Sequence, residues 1–184
     1  IDTPPKIPFS ALAVRVLQSP DQISGFICND SDLNEYLHNV ALDAIHEGTA
    51  TTHLVYYNDT VVGFFSLASG VINKKDVSED DTKPGFGPVN YPTLLIARLA
   101  THIDWERRGI GTYMLAHSMA IAIHLHRHFL GCRFITVDAK RDRVSFYIEN
   151  GFKLVQSTKD NEHPKLYFNH VELLKKLHGS DKTE

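Results

Sequence analysis

The chain is poor in cysteine, has a single tryptophan, and contains no apolar run longer than Met119–Ile123. Each shortage excludes something. Two cysteines in 184 residues, Cys28 and Cys132, with no CxxC pairing, provide neither a disulfide scaffold nor a thiolate zinc site. Such usage fits a reducing, cytoplasmic setting. A membrane-spanning helix needs roughly twenty consecutive apolar residues, so none is expected. An excess of positive charge is also missing: 19 Lys and Arg stand against 22 Asp and Glu, for a net charge of -3 and a pI near 6.4. This excludes a broadly basic coat for nucleic acid but leaves room for a local patch. Ile1–Ser10 holds prolines and no long apolar stretch behind a basic cluster, unlike a signal peptide; a segment removed before residue 1 stays open.

What is present describes a foldable chain. Hydrophobic residues make up 42% of it, enough to bury the core of one domain over 1–184. Leu12–Leu17 reads as a strand, followed by a turn at Ser19–Pro20–Asp21 and a short helix. Leu33, Tyr36, Leu37, Val40, Ala41 and Ala44 recur three and four apart, predicting an amphipathic helix capped by Ser31 or Asp32 and ending at Gly48. Thr51–Tyr57 and Val61–Ile72, separated by Asn58–Asp59, read as a hairpin. Residues 73–90 are charged, rich in Gly and Pro and aperiodic, which predicts a long exposed loop. Thr93–Thr101 is apolar enough for a central strand buried on both faces. Gly111–Phe129 then predicts a long helix, Phe134–Val137 a strand, Asp142–Asn150 a short helix closed by Gly151, and Phe152–Val155 with Leu166–Phe168 a strand pair. His170–Leu177 adds a terminal helical turn. The order predicts an α/β fold with a mixed sheet.

The most informative stretch joins the central strand to the long helix through Trp105-Glu106-Arg107-Arg108-Gly109-Ile110-Gly111-Thr112. Glycines at 109 and 111 let a backbone approach a ligand, and the free N–H groups of a helix's first turn suit phosphate oxygens. Met114 stands where a dinucleotide fingerprint needs its third glycine, and no Lys-Ser or Lys-Thr pair completes a P-loop. On its own the GxG fits a tight turn with close strand–helix packing equally well.

The wider stretch LIARLATHIDWERRGIGTYML resembles motif A of the GNAT superfamily of N-acetyltransferases, whose signature is Gln/Arg-x-x-Gly-x-Gly/Ala. The resemblance implies a GNAT-like mixed, mostly antiparallel sheet flanked by helices, with acetyl-CoA as cosubstrate. By position it places Leu99, Ala100 and Thr101 along the pantetheine arm. It places Arg107, Arg108, Gly109, Ile110, Gly111 and Thr112 at the pyrophosphate. The first signature position holds Glu106, a departure that removes one side-chain contact and leaves the amides. Val137-Asp138-Ala139 and Ser145–Phe152 are similar to motif B, ending in Tyr-x-x-x-Gly-Phe at Tyr147, Gly151 and Phe152. The family's Asn and Ala positions there hold Lys140 and Arg143, so an Asn contact to the cofactor does not carry over. The resemblance makes Tyr147 the general acid for the departing thiolate; a packed core tyrosine is the plain alternative.

Acetyl transfer to an amine also needs a neutral nitrogen and a donor for the oxyanion, for which a strand amide near Leu99 or Ala100 is the candidate. The central strand carries no Asp or Glu as a base, and Asp138 and Glu149 read more simply as solvated carboxylates. At neutral pH roughly a tenth to a third of an α-amine is unprotonated, against about one in a thousand for a lysine amine, so the missing base leans towards an α-amine acceptor. Phe26, Leu33, Asn34, Gly63, Phe64 and Leu67 resemble the toxin-type branch of the superfamily, which acetylates the amino group of aminoacyl-tRNA. That branch brings aminoacyl-tRNA, a homodimer and an antitoxin into view as partners, with Arg107, Arg108, Lys140, Arg141 and Arg143 available for a basic face. A protein or small-amine acetyltransferase and a non-catalytic acyl-CoA-binding module stay as alternatives. His124, His126 and His128 lack further ligands in the pattern and read as exposed helix histidines, with no metal expected.

Overall fold

A computed structural model describes residues 4–179 except 20, 22 and 86, with side chains up to 175. The chain divides into two compact units, Ile1–Ala68 with Ile96–His117, and Ser69–Leu95 with Ser118–Glu184. The first contains β1 (Ala13–Val16), β2 (Thr51–Tyr57), most of β3 (Thr60–Asn73) and the second half of β4 (Asn90–Thr101). Its helices are α1 (Ser31–Glu35) and α2 (Ala41–His46), joined by the π-helical turn Tyr36–Val40, and the start of α3 (Ile110–His128). The second holds the rest of β3, β4 and α3, then β5 (Phe134–Asp138), α4 (Val144–Glu149), β6 (Lys153–Leu154), β7 (Lys165–Phe168) and α5 (His170–Gly179). The strand order is β1-β2-β3-β4-β5-β7-β6, and the pairings β1–β2, β2–β3, β5–β7 and β6–β7 are all antiparallel. This is the α/β, mostly antiparallel sheet with helices that the sequence predicts, with β4 at its centre.

Local chemistry explains the boundaries. Asn58 and Asp59, with φ of 45° and 62°, supply the left-handed pair that a two-residue hairpin requires. The cap of α1 is Asp30 rather than Ser31 or Asp32: Asp30 is still extended and its carboxylate accepts from the amides of Asp32 and Leu33. Among the described residues between β1 and α1 no helix is present, unlike the short helix expected there. There Gln18 donates its amide to the Asp21 carboxylate at 2.6 Å while Asp21 donates back to the Gln18 carbonyl at 3.0 Å, closing a local turn. Pro20 of that turn lies outside the described residues.

In the first unit Phe26, Leu37, Leu54, Phe64 and Ala100 share one core, with the Phe26 ring edge-on to Phe64 at 5.4 Å. A Cβ on Gly63 would sit 3.1 Å from both the Ala100 carbonyl oxygen and Ile110 Cγ2, so β3 must lack a side chain there for β4 and α3 to pack. β4 is buried around Leu94 and Ile96, but Arg98 is exposed, so the strand is not apolar on both faces to its end. In the second unit Phe134 stands edge-on to Tyr91 and Tyr167 in a core with Ile72, Val77 and Val155. Both cysteines are free and buried, and burial pushes each thiol's pKa up.

The segment 73–90 is exposed over much of its length, but it is not structureless. It carries short 3-10 turns at Lys74–Asp76 and Glu79–Asp81, and Val77 and Asp81 are buried. The Asp81 carboxylate accepts from Lys153 Nζ at 2.7 Å, Tyr167 Oη and Ser78 Oγ at 2.9 Å, and Asn169 Nδ2 at 3.0 Å. Burial alone would raise its pKa, but these donors outweigh burial and hold it below the usual carboxylate value. Asp81→Ala would leave the Asn169 amide without this acceptor and Tyr167 with only Ser78 Oγ at 3.2 Å, and is expected to lower stability by about 2–4 kcal/mol in urea unfolding. Wild type should in turn lose this contribution below about pH 4, as the carboxylate takes up its proton, whereas the variant should show no such acid step.

Candidate active site

β4 ends at Thr101 and α3 begins at Ile110, and the connection between them is held by elements distant in sequence. His102 donates its amide to the Val62 carbonyl at 2.9 Å, and Ile103 donates to Ile27 at 2.8 Å. The His102 ring stands edge-on to Phe26 and its Nε2 donates to the Gly25 carbonyl at 3.2 Å. Asn34 brackets Cys28, accepting from its amide at 2.8 Å and donating to its carbonyl at 2.9 Å. Phe26 and Asn34, picked out as part of a pattern, thus prove to be the bracing of this connection.

Glu106, the departure from the signature, is engaged: its carboxylate accepts from Asn29 Nδ2 at 2.9 Å. Trp105 packs edge-on to Tyr57, and the Arg108 guanidinium lies 5.2 Å from the Trp105 ring centroid. Arg107 has φ of 61° and Gly109 φ of 86°, so the chain makes two left-handed steps before the helix. Gly109 then accepts from the Tyr113 amide at 3.0 Å, which starts α3 and leaves the first-turn amides of Ile110, Gly111 and Thr112 without intrahelical partners. Arg108 Nε is buried with no hydrogen-bond partner among the described residues. A buried cationic donor near a helix's first-turn amides is chemically suited to a phosphate oxygen.

All of Leu99, Ala100, Thr101 and residues 107–112 lie in the first unit, Ala100 and Ile110 buried and Arg107 exposed. Arg98, not singled out from the sequence, is exposed on β4; its guanidinium lies 5.1 Å from the Tyr36 ring centroid and donates to the Ala97 carbonyl at 2.7 Å. An exposed arginine in an apolar strand was the available signal.

Tyr147 lies in the second unit on α4, 6% exposed, edge-on to Phe146 and Phe152. Burial pushes its phenol up to about 12, with Arg143 pulling weakly the other way. Gly151, at φ of 86°, closes the helix beneath it. Asp138 is bound to Lys165 Nζ at 3.0 Å, and Glu149 is exposed. Lys140, Arg141 and Arg143 are exposed on the turn before α4, where Arg143 pairs with Asp142 at 3.3 Å and Arg141 donates to the Asp160 carbonyl. His124, His126 and His128 are exposed, and among the described residues no group of three or more His, Cys, Asp or Glu converges to hold a metal ion. A cavity of about 660 Å³ in the second unit, between Lys83, Arg133 and Lys175, contains none of the predicted site residues.

Residues 14–152 match the model of the acetyltransferase (GNAT) family, and the chain belongs to that family. It is therefore an acetyltransferase that draws on acetyl-CoA. A tRNA-acetylating toxin of Mycobacterium tuberculosis is 27% identical over 143 residues, 77% of this chain and 84% of the relative. Among solved structures, AtaT complexed with acetyl-methionyl-tRNAfMet superposes with a TM-score of 0.78 at 20% identity, covering 89% of this chain and 98% of that one. AtaTR bound with AcCoA gives 0.72 at 19% identity, covering 90% and 98%.

The buried Tyr147 phenol makes a linkage prediction. Its folded pKa near 12 lies above the ordinary value of about 10, so the unfolded chain loses this proton first as pH rises. Stability should fall between about pH 10 and 12 more steeply in wild type than in Tyr147→Phe, read as the melting temperature against pH.

Proposed function

We propose that the chain acts as a single domain over 1–184, in the cytoplasm, transferring the acetyl group of acetyl-CoA to the α-amine of an aminoacyl-tRNA. The observation that carries the cofactor half is the turn at 107–112, with open amides, two left-handed steps and the orphaned Arg108 Nε. The acceptor half draws support from the relatives, whose names record tRNA acetylation and a complex with acetylated tRNA.

Acetyl-CoA supplies an activated acetyl group on a thioester and a pyrophosphate by which it is held. In this reading the amides of Ile110, Gly111 and Thr112, with Gly109, Arg107 and Arg108, bind the pyrophosphate. The backbone of Leu99, Ala100 and Thr101 lies along the pantetheine arm, and an amide at Leu99 or Ala100 donates to the oxyanion. Tyr147 holds its proton at Oη for the departing sulfur. A phenol near 12 is a weaker acid than a thiol of about 8.5, so Tyr147 acts as a hydrogen-bond donor to the negative charge building on sulfur, while the proton shed by the attacking nitrogen balances the thiol that forms. Asp138 is committed to Lys165, which leaves the amine without an evident protein base. An α-amine, already partly neutral at pH 7, tolerates that; a lysine amine does not.

Acetyl transfer from labelled acetyl-CoA into a cell extract, partitioned among charged tRNA, protein and small molecules, tests the reading. RNase-sensitive label that falls by about a hundredfold or more in Tyr147→Phe is the expected result, with acetyl-CoA affinity nearly unchanged. Label in protein or small amines would replace the acceptor, and binding without transfer would favour a cofactor-binding module. Gly109→Val, which places a β-branched side chain at φ of 86° in the phosphate turn, should weaken acetyl-CoA binding in calorimetry; unchanged affinity would remove the pyrophosphate assignment.

A further inference from the structure

The N-terminal segment before β1 lies against the glycine turn. Ile7, buried, donates its amide to the Arg108 carbonyl at 3.0 Å. Phe9 stands edge-on to Tyr113 at 5.1 Å, and Tyr113 Oη donates to the Leu12 carbonyl at 3.4 Å. These contacts fasten residues 7–12 along the first turn of α3. Lys6 directly precedes them in the chain. It is exposed, and a Cβ on Gly109 would lie 4.0 Å from both its Cγ and its Cδ. The aliphatic stem of Lys6 therefore passes over the glycine at the centre of the turn, with the ammonium still two bonds further on.

We infer that Lys6 is a third cationic ligand of the cosubstrate's pyrophosphate, beside Arg107 and Arg108, delivered from about a hundred residues away in sequence by the Ile7–Arg108 hydrogen bond. The inference rests on the reading of 107–112 as the pyrophosphate turn. Lysine suits the position because its charge sits at the end of a flexible stem and needs no planar partner. The absence of a side chain at Gly109 permits the left-handed step, and a Cβ there would meet the stem of Lys6 only in ordinary contact at 4.0 Å.

The test is calorimetric binding of CoA and of 3′-dephospho-CoA to the full chain and to Lys6→Gln, Lys6→Arg and Gly109→Val. Lys6→Gln should weaken both ligands by about three- to tenfold, the worth of one exposed charge-assisted contact, and Lys6→Arg should recover most of that. The loss should shrink as salt rises, which a packing defect would not do. A loss confined to CoA would move Lys6 to the ribose phosphate and overturn the pyrophosphate assignment, as would a salt-independent loss or no loss at all. Weak binding by Gly109→Val together with wild-type binding by Lys6→Gln would sink the role of Lys6 while leaving the turn intact. Full binding by both variants would sink the turn itself.

Discussion

Backbone donors left unpaired at the start of a helix are costly unless something outside the helix holds them in place and something else arrives to accept from them. The connection between β4 and α3 works under that constraint, and most of the first unit can be understood as meeting it. The Ile103 amide on the Ile27 carbonyl, the ring of His102, the Asn34 bracket around Cys28 and the Asn29–Glu106 contact fasten the connection on the β4 side. Ile7 and Tyr113 fasten it on the helix side. Gly63 lets the strands and the helix close up behind it. If residues 107–112 bind the cosubstrate's pyrophosphate as proposed, a loop so tied reorganises little on binding, and the electrostatic work is done during folding.

The division of chemical labour in the GNAT reading follows from burial. The turn carries first-turn backbone donors and two arginines, whereas Tyr147 is packed among aromatic rings and keeps its proton far above neutral pH. An acid this weak cannot be lost to solvent at working pH, and it responds only to strong negative charge in its vicinity. The absence of an engaged carboxylate base is the counterpart. Under the proposed reading the deprotonation of the acceptor is left to the acceptor's own pKa, which favours an α-amine over a lysine amine.

The order of elements along the chain, the hairpin, the long helix and the closing glycine at 151 were all legible, because each depends on periodicity or on a backbone angle that few residues adopt. The cap at Asp30 was misassigned by one or two positions, since Asp30, Ser31 and Asp32 are all competent caps and only the backbone decides between them. The helix expected after β1 failed for a similar reason: Asp21 found a local amide, and no periodic apolar face was there to compete. Asp81 was hidden in a charged run, where a single buried carboxylate looks like its solvated neighbours. In the candidate site the glycine turn was visible as a motif, but Glu106 looked like a defect until Asn29, distant in sequence, supplied its partner. Lys6 carried no signal at all. Its meaning comes only from a hydrogen bond between Ile7 and a residue a hundred positions on.

The two cysteines have a bearing on this chemistry that their scarcity alone does not suggest. An enzyme that handles a thioester exposes its own nucleophiles to acylation, and a surface thiolate would compete with any amine for the acetyl group. Here both thiols are buried, at 7% and 3% exposure, and burial raises both pKa values, so the reactive anionic form is suppressed twice over. The protein is in this sense chemically inert towards its own cosubstrate: the bound acetyl group meets no sulfur on the chain able to intercept it before the acceptor does.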